Sequence, residues 1–174
     1  MSSPIISAID VGTNSFHMVT ASVDDNGILN ILSRDKEIVR LGSSSGDMRY
    51  LQRDAIKRAV TTLKAFSKIA KNDNSQIRAV ATSAVREAKN AEEFIELIKR
   101  ESGIELEVIS GVEEARLISL GVIHALPILS EKSLIIDIGG GSTETIVTEN
   151  GEMLHLQSNK LGAIRLSKKY FDGI

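Results

Sequence analysis

Cysteine is absent from the 174 residues. Its absence excludes disulfide bonds, thiolate catalysis and zinc sites that depend on cysteine. A long apolar run is also lacking, since none approaches the roughly 18 residues that a membrane helix needs. The first residues do not combine a basic region with an apolar stretch, as a signal peptide does. We therefore expect a soluble, cytoplasmic protein.

A large excess of charge of one sign is missing as well. The formal net charge is −2, with 25% charged and 42% hydrophobic residues. This balance gives no electrostatic reason to expect nucleic acid or an anionic membrane as a partner. The length fits one or two small domains that can bury a core.

Strand-like runs dominate the opening third. The turn sequence Asp24–Gly27 (DDNG) predicts a hairpin, because Asn-Gly tolerates the positive φ of tight turns. Apolar spacing predicts a helix over Arg53–Lys71, and the loop GSSSG (42–46) precedes it. Further strands and helices alternate to the end, so we predict an α/β fold with a mixed sheet. The other expected strands are Ile5–Asp10, Phe16–Val23, Ile28–Ser33, Glu37–Leu41, Ile77–Ala81, Leu106–Ile109, Leu134–Ile138, Thr145–Thr148 and Met153–Gln157. The other expected helices are one that the side chain of Asn90 caps and two that begin at about Val112 and at Ala163.

The stretch LIIDIGGGSTE (134–144) repeats a pattern found near the N-terminus. Asp137 and Gly139 correspond to Asp10 and Gly12 at one offset (137 − 10 = 127; 139 − 12 = 127). Both copies read as strand, Asp-x-Gly, small polar loop, strand and Asn-Gly turn. Two unrelated hairpins with similar turns would share some of these letters. The shared register favours a pair of phosphate-binding hairpins that face each other across a cleft.

The residue types in these loops suit a phosphate group. Successive glycines let backbone amides form a concave anion site, and hydroxyl or amide side chains add neutral donors. An aspartate there would repel phosphate unless a cation lies between them, so Asp10 and Asp137 imply Mg²⁺ held through water. Glu144 either extends this acidic set or is a solvent-facing strand residue. The candidate phosphate-binding residues are Gly12, Asn14, Ser15, Gly139, Gly140, Gly141, Ser142 and Thr143.

Four motifs, AIDVGTNSFHMV, ATSAVREA, SGVEEARL and LIIDIGGGSTE, together resemble the exopolyphosphatase / guanosine pentaphosphate phosphohydrolase (Ppx/GppA) family. That family has the actin-like, Hsp70-like and sugar-kinase superfold, so the resemblance implies a ribonuclease H-like (actin-like ATPase) lobe. It covers the chain from Ile6 to about Phe171. The implied activity is hydrolysis of a phosphoanhydride with Mg²⁺, which releases orthophosphate from polyphosphate, from guanosine pentaphosphate, or from both.

The resemblance also assigns two catalytic residues. Glu113, in Gly-Val-Glu-Glu-Ala at a helix start, matches the family's base, which orients or deprotonates a water for in-line attack. Arg86 matches a residue that grips phosphate oxygens and offsets developing charge. Without the resemblance, Glu113 would be interpreted as an acid that interacts favourably with the helix dipole. Arg86 would be interpreted as forming a surface ion pair with Glu87 or Glu93.

The superfold has two lobes, and here the resemblance implies a first lobe over 1–126 and the beginning of a second over 127–174. We expect either a truncated product or a naturally short relative. A hairpin with one helix is marginally stable by itself. Residues 128–174 are therefore expected either to pack back on the first lobe or to pair with another chain, and a homodimer is the expected assembly.

Two other functions stay open on the sequence. The first is a catalytically weak domain that binds phosphate or an alarmone as a sensor. The second is an ATPase or phosphotransferase of the same superfold. The combination of Glu113 and Arg86 favours hydrolysis over both.

Overall fold

The chain forms two compact units, Met1–Val108 and Ile109–Ile174. They are seen in a computed structural model, which describes residues 4–42 and 49–171. Most of the expected GSSSG loop lies outside the described residues. The predicted lobe boundary at 126/127 refers to the longer two-lobed fold and stays a prediction.

The first unit is a five-stranded mixed sheet in the order β3-β2-β1-β4-β5, with helices against it. The first three strands form the expected antiparallel meander, and β4 and β5 run parallel to β1. The predicted α/β class with a mixed sheet is confirmed. The elements are β1 (Ile5–Val11), β2 (Ser15–Val23), β3 (Leu29–Ile38), α1 (Arg53–Asn72), β4 (Gln76–Ala81), α2 (Ser83–Arg86), α3 (Ala91–Ser102) and β5 (Leu106–Val108).

The core of this unit lies on one face of the sheet. Ile9 and Val11 of β1 alternate with exposed neighbours, as expected for a strand with one buried face. Phe66 of α1 and Phe94 of α3 are buried in the same apolar cluster. The 3.6-residue apolar period of the two helices and the two-residue period of the strand therefore converge on one core.

Two local predictions needed correction, and one short helix was not predicted. β3 is one continuous strand rather than the two stretches expected, because at the sheet edge its polar centre can remain exposed. Asn90 does precede α3, but its side chain makes no cap. Instead it exchanges two hydrogen bonds with the backbone of Leu51, at 2.9 and 3.0 Å. The short helix α2 was not foreseen.

The second unit is a three-stranded antiparallel sheet in the order β6-β7-β8. Helix α4 packs against β7 and β8, so the sheet is covered on one face. Within the described parts of the chain, no helix is long and apolar enough to cross a membrane. The elements are α4 (Gly111–Ala125), β6 (Lys132–Ile138), β7 (Thr143–Glu149), β8 (Glu152–Asn159) and α5 (Ala163–Phe171).

Candidate active site

The repeat read from the sequence is a repeat of structure. Asp10 lies opposite His17 on β2, and Asp137 lies opposite Glu144 on β7. Both strand pairs therefore keep the same register at the same offset (137 − 10 = 127; 144 − 17 = 127).

The strand pairings that follow the two hairpins also share an irregularity. A register shift lies between Thr20 and Ala21 where β2 pairs with β3, and between Val147 and Thr148 where β7 pairs with β8. These positions differ by the same offset (147 − 20 = 127). Bulges are specific features that aim side chains locally, so chance similarity of turn residues does not explain the match. That the hairpins face each other across a cleft stays a prediction.

Each loop begins with a glycine that lies close against a backbone carbonyl of the same loop. A Cβ at Gly12 would lie 2.8 Å from the Ser15 carbonyl oxygen, and one at Gly139 would lie 3.2 Å from that of Ser142. In the second loop the Gly139 amide donates to the Ser142 carbonyl at 2.9 Å. The glycines thus allow the tight turn that links each pair of strands.

Two of the three hydroxyl groups expected to contact phosphate, those of Ser15 and Thr143, already have partners within the protein. The Ser15 hydroxyl lies 2.9 Å from His17 Nε2. The Thr143 hydroxyl donates to the Leu161 carbonyl at 2.7 Å, which ties β7 to the segment before α5. The backbone amides of both loops are therefore more available donors than these two hydroxyl groups.

The three candidate acids have different surroundings. Asp10 and Asp137 are exposed, and each lies near the end of its strand. Glu144 is 1% exposed and accepts a hydrogen bond from the Ser158 hydroxyl at 2.7 Å. The solvent-facing interpretation of Glu144 is therefore wrong. Asp137 and Glu144 are direct cross-strand neighbours, so their side chains project to the same sheet face.

These acids suit a metal ion that they contact through water rather than directly. Across residues 4–42 and 49–171, no three histidine, aspartate or glutamate side chains converge to hold an ion directly. Mg²⁺ usually retains several waters and takes one or two carboxylates, so exposed acids such as Asp10 and Asp137 suit it.

Glu113 lies at the start of α4, as the sequence predicted. Its amide donates to the side chain of the N-cap residue Ser110 at 3.1 Å. The spacing Ser-x-x-Glu could have revealed this cap, because it is the capping-box pattern.

The Glu113 carboxylate is held by a residue that the sequence reasoning missed. Arg116 Nε donates to Glu113 Oε2 at 2.8 Å, and Arg116 Nη2 donates to Oε1 at 2.7 Å. These hydrogen bonds hold the pKa of the Glu113 carboxyl below its ordinary value. The three-residue spacing on one helix was the available signal. Glu113 is therefore an ionised, oriented carboxylate.

Arg86 is the last residue of α2, directly after β4 in the first unit. It is half-buried, and its amide donates to the Thr82 carbonyl at 2.9 Å. The sequence placed Arg86 at a strand end, whereas one helical turn separates it from the strand.

Solved structures of similar proteins support a common fold. An exopolyphosphatase from Cytophaga hutchinsonii is 37% identical with a TM-score of 0.91, and the match covers 95% of this chain and 53% of that one. The Ppx/GppA enzyme of Aquifex aeolicus is 33% identical with a TM-score of 0.84, covering 98% and 57%. The chain thus spans little more than half the length of these proteins.

A more distant likeness concerns the fold alone. The ethanolamine utilization protein EutJ from Carboxydothermus hydrogenoformans is 18% identical with a TM-score of 0.54, covering 98% of this chain and 58% of that one. The predicted actin-like fold class is confirmed. A profile of the Ppx/GppA phosphatase family matches residues 19–173. The chain therefore belongs to the Ppx/GppA phosphatase family.

Proposed function

We propose that this chain carries part of a phosphoanhydride hydrolase that releases orthophosphate from the end of polyphosphate, from guanosine pentaphosphate, or from both. The observation that carries the proposal is the duplicated Asp-x-Gly hairpin, in register and followed by strand pairings with matching register shifts, in a member of this family. Amides exposed by the glycine loops would bind phosphate oxygens.

The proposed chemistry divides the work among a few side chains. Glu113 orients a water in line with the terminal phosphorus, and Arg86 offsets the charge that develops on the phosphoryl oxygens. Asp10 and Asp137 would hold Mg²⁺ through its waters, with Glu144 as a further acid. When bound, Mg²⁺ would neutralise charge on the phosphate chain.

The lowered pKa of Glu113 suits this role. Phosphoryl transfer passes through a loose transition state, so correct placement of the water matters more than strong basicity. A carboxylate that Arg116 holds by both oxygens is ionised and fixed in direction.

A sensor that binds phosphate without turnover is the second candidate. It is favoured by the same ion pair, because both oxygens of Glu113 already accept hydrogen bonds from Arg116. An ATPase or phosphotransferase remains a third expectation and is distinguished by its substrate.

The test is release of orthophosphate from polyphosphate, guanosine pentaphosphate and ATP, with and without Mg²⁺. Glu113→Gln should lower the rate by about 10²- to 10⁴-fold, the usual contribution of a positioned general base. Glu114→Gln is the matched control, because Glu114 is the next residue of the same helix and should retain the rate.

Each other outcome has a defined meaning. A Glu113→Gln variant that releases orthophosphate at the wild-type rate would show that Glu113 is not the base. Phosphate binding without release of orthophosphate would favour the sensor. Release of orthophosphate from ATP alone would favour the ATPase or phosphotransferase. Size-exclusion chromatography with light scattering tests the proposed homodimer, and a strictly monomeric species would contradict it. A cytoplasmic location also remains a proposal.

A further inference from the structure

The glycine loop of the second unit is bound along its carbonyl side to the first turn of α5. All three glycine carbonyls take part. The hydrogen bonds are Ala163 N to Gly139 O at 2.9 Å, Ile164 N to Gly140 O at 2.9 Å, Arg165 N to Gly140 O at 3.3 Å and Arg165 Nε to Gly141 O at 2.9 Å.

These bonds satisfy both partners. The first N–H groups of a helix have no acceptor within the helix. In α5 the first bond to its own N-cap carbonyl is from Leu166 to Gly162, at 2.9 Å. The three preceding amides all donate to the loop, so the loop caps the helix and the helix fixes the loop.

The orientation of the carbonyls determines that of the amides. In a planar trans peptide the C=O and the following N–H point in opposite directions. With the carbonyls of residues 139–141 turned toward α5, the amides of Gly140, Gly141 and Ser142 point away from it. None of these three amides donates to an acceptor within the described segments.

Buried amides normally have acceptors. Gly141 and Ser142 are buried, and more than nine-tenths of buried backbone N–H groups in proteins are paired. Three successive amides that share one direction form the concave arrangement that binds anions.

Close approach of α5 to the loop depends on Gly162. A Cβ at this position would lie 2.3 Å from three backbone atoms, Gly140 C, Gly140 O and Gly141 N. Backbone atoms of a tight loop cannot yield as a flexible side chain can. Any larger residue at 162 would therefore move the helix start away from the loop.

We propose that Gly162 and Arg165 are positioning residues for phosphate binding, because they hold the glycine loop with its three amides turned toward the ligand. The inference rests on the proposed function only in that the loop binds phosphate. Gly162 acts by permitting backbone contact, and Arg165 acts by gripping the third carbonyl. Neither residue needs to touch the substrate.

The first experiment uses the 174-residue chain with inorganic phosphate, observed by amide NMR and calorimetry. In the wild type, phosphate should shift the amides of residues 140–142 selectively. Gly162→Ala should weaken phosphate binding at least tenfold, and Arg165→Met should weaken it several-fold. Arg165→Lys should recover part of the loss, since an ammonium can still donate to the carbonyl.

Gly121→Ala in α4 is the matched control for Gly162→Ala. A Cβ at Gly121 meets no atom within 4 Å, so this variant should bind phosphate as the wild type does. Urea unfolding of every variant identifies those that remain folded. If Gly162→Ala does not fold, Arg165→Met carries the test.

A second experiment compares kcat and KM for polyphosphate. A variant that merely unfolds part of the population lowers kcat and leaves KM unchanged, whereas loss of the positioned amides raises KM. Unchanged phosphate affinity and KM in a folded Arg165→Met protein would overturn the inference alone. A wild-type chain that binds no phosphate would overturn both the inference and the phosphate role of the loop.

Discussion

The two hairpins have the same pairing but bury opposite faces. Ile9 of β1 is 2% exposed, whereas Ile136, its equivalent on β6, is 57% exposed. The neighbouring pairs behave alike, since Val11 is buried and Ile138 is exposed. The hairpin sequence therefore determines strand pairing, and the helices that pack on each sheet determine which face becomes core.

On the other face of each sheet, the second hairpin is the more buried of the two. On β7 the side chains of Glu144, Ile146 and Thr148 are buried, on the sheet that α4 covers. Their equivalents on β2, including His17 and Val19, are only half-buried. The same type of strand pair can therefore be covered by helices on either face.

The loops are also fixed by different means. In the first hairpin the Asn14 carbonyl accepts from the amides of Val39 and Arg40 at 3.0 and 2.7 Å, and the Thr13 carbonyl accepts from Gly42 at 2.8 Å. Arg40 has a φ of 52°, an unfavourable value for a non-glycine residue. A strained turn after β3 therefore does in one hairpin what a helix start does in the other.

Truncation of the two equivalent isoleucines should give the largest contrast. Ile9→Ala removes a buried side chain and should lower the free energy of unfolding by about 2–5 kcal/mol. Ile136→Ala should change it by less than about 0.5 kcal/mol, since its side chain is mostly exposed. Urea unfolding followed by circular dichroism measures both, and equal losses would contradict the difference in cover.

The turn glycines give the next contrast. Gly27 and Gly151 have φ values of 80° and 79°, so alanine at either should cost about 1–2 kcal/mol. A Cβ at Gly151 would also lie 2.9 Å from Leu129 Cδ1, whereas one at Gly27 meets nothing within 4 Å. Gly151→Ala should therefore be the more destabilising variant in the same unfolding assay. The reverse order would show that the contact with Leu129 relaxes freely.

A smaller effect concerns the protonation of His17, which lies opposite Asp10. Burial, and then the charge of Lys36, lower the pKa of His17 below its ordinary value of 6.5. The unfolded chain then binds a proton at higher pH than the folded chain, so stability is lost as pH falls below about 6.5. NMR titration in metal-free buffer should show the lowered pKa, and Lys36→Met should raise it only partly. A pKa at or above 6.5 would contradict the burial of His17.

The smallest effect should come from an ion pair found in one hairpin only. Lys132 Nζ lies 3.6 Å from Glu149 Oε2, while the equivalent positions in the first hairpin are Ile5 and Ser22. Exposed pairs contribute about 0–1 kcal/mol, so Lys132→Met should change unfolding by less than about 0.5 kcal/mol. A larger loss, insensitive to salt, would show that the pair fixes the register.

The sequence predicted much of this architecture because repeats, turns and apolar periods are local signals. The offset of 127 and the Asn-Gly turns needed only the residues themselves. The burial of Glu144 was missed because it depends on the helix that covers β7. Gly162 was missed because its reason is a backbone contact with Gly140, far away in sequence.

The hydrogen bonds between α5 and the glycine loop couple the order of the first helical turn to the order of the loop. Fraying of the first helical turn and loosening of the loop break the same bonds, so each must accompany the other. A ligand that binds only the ordered loop would then stabilise the helix by mass action. Phosphate at the loop should therefore slow hydrogen exchange in residues 163–171 without contacting them.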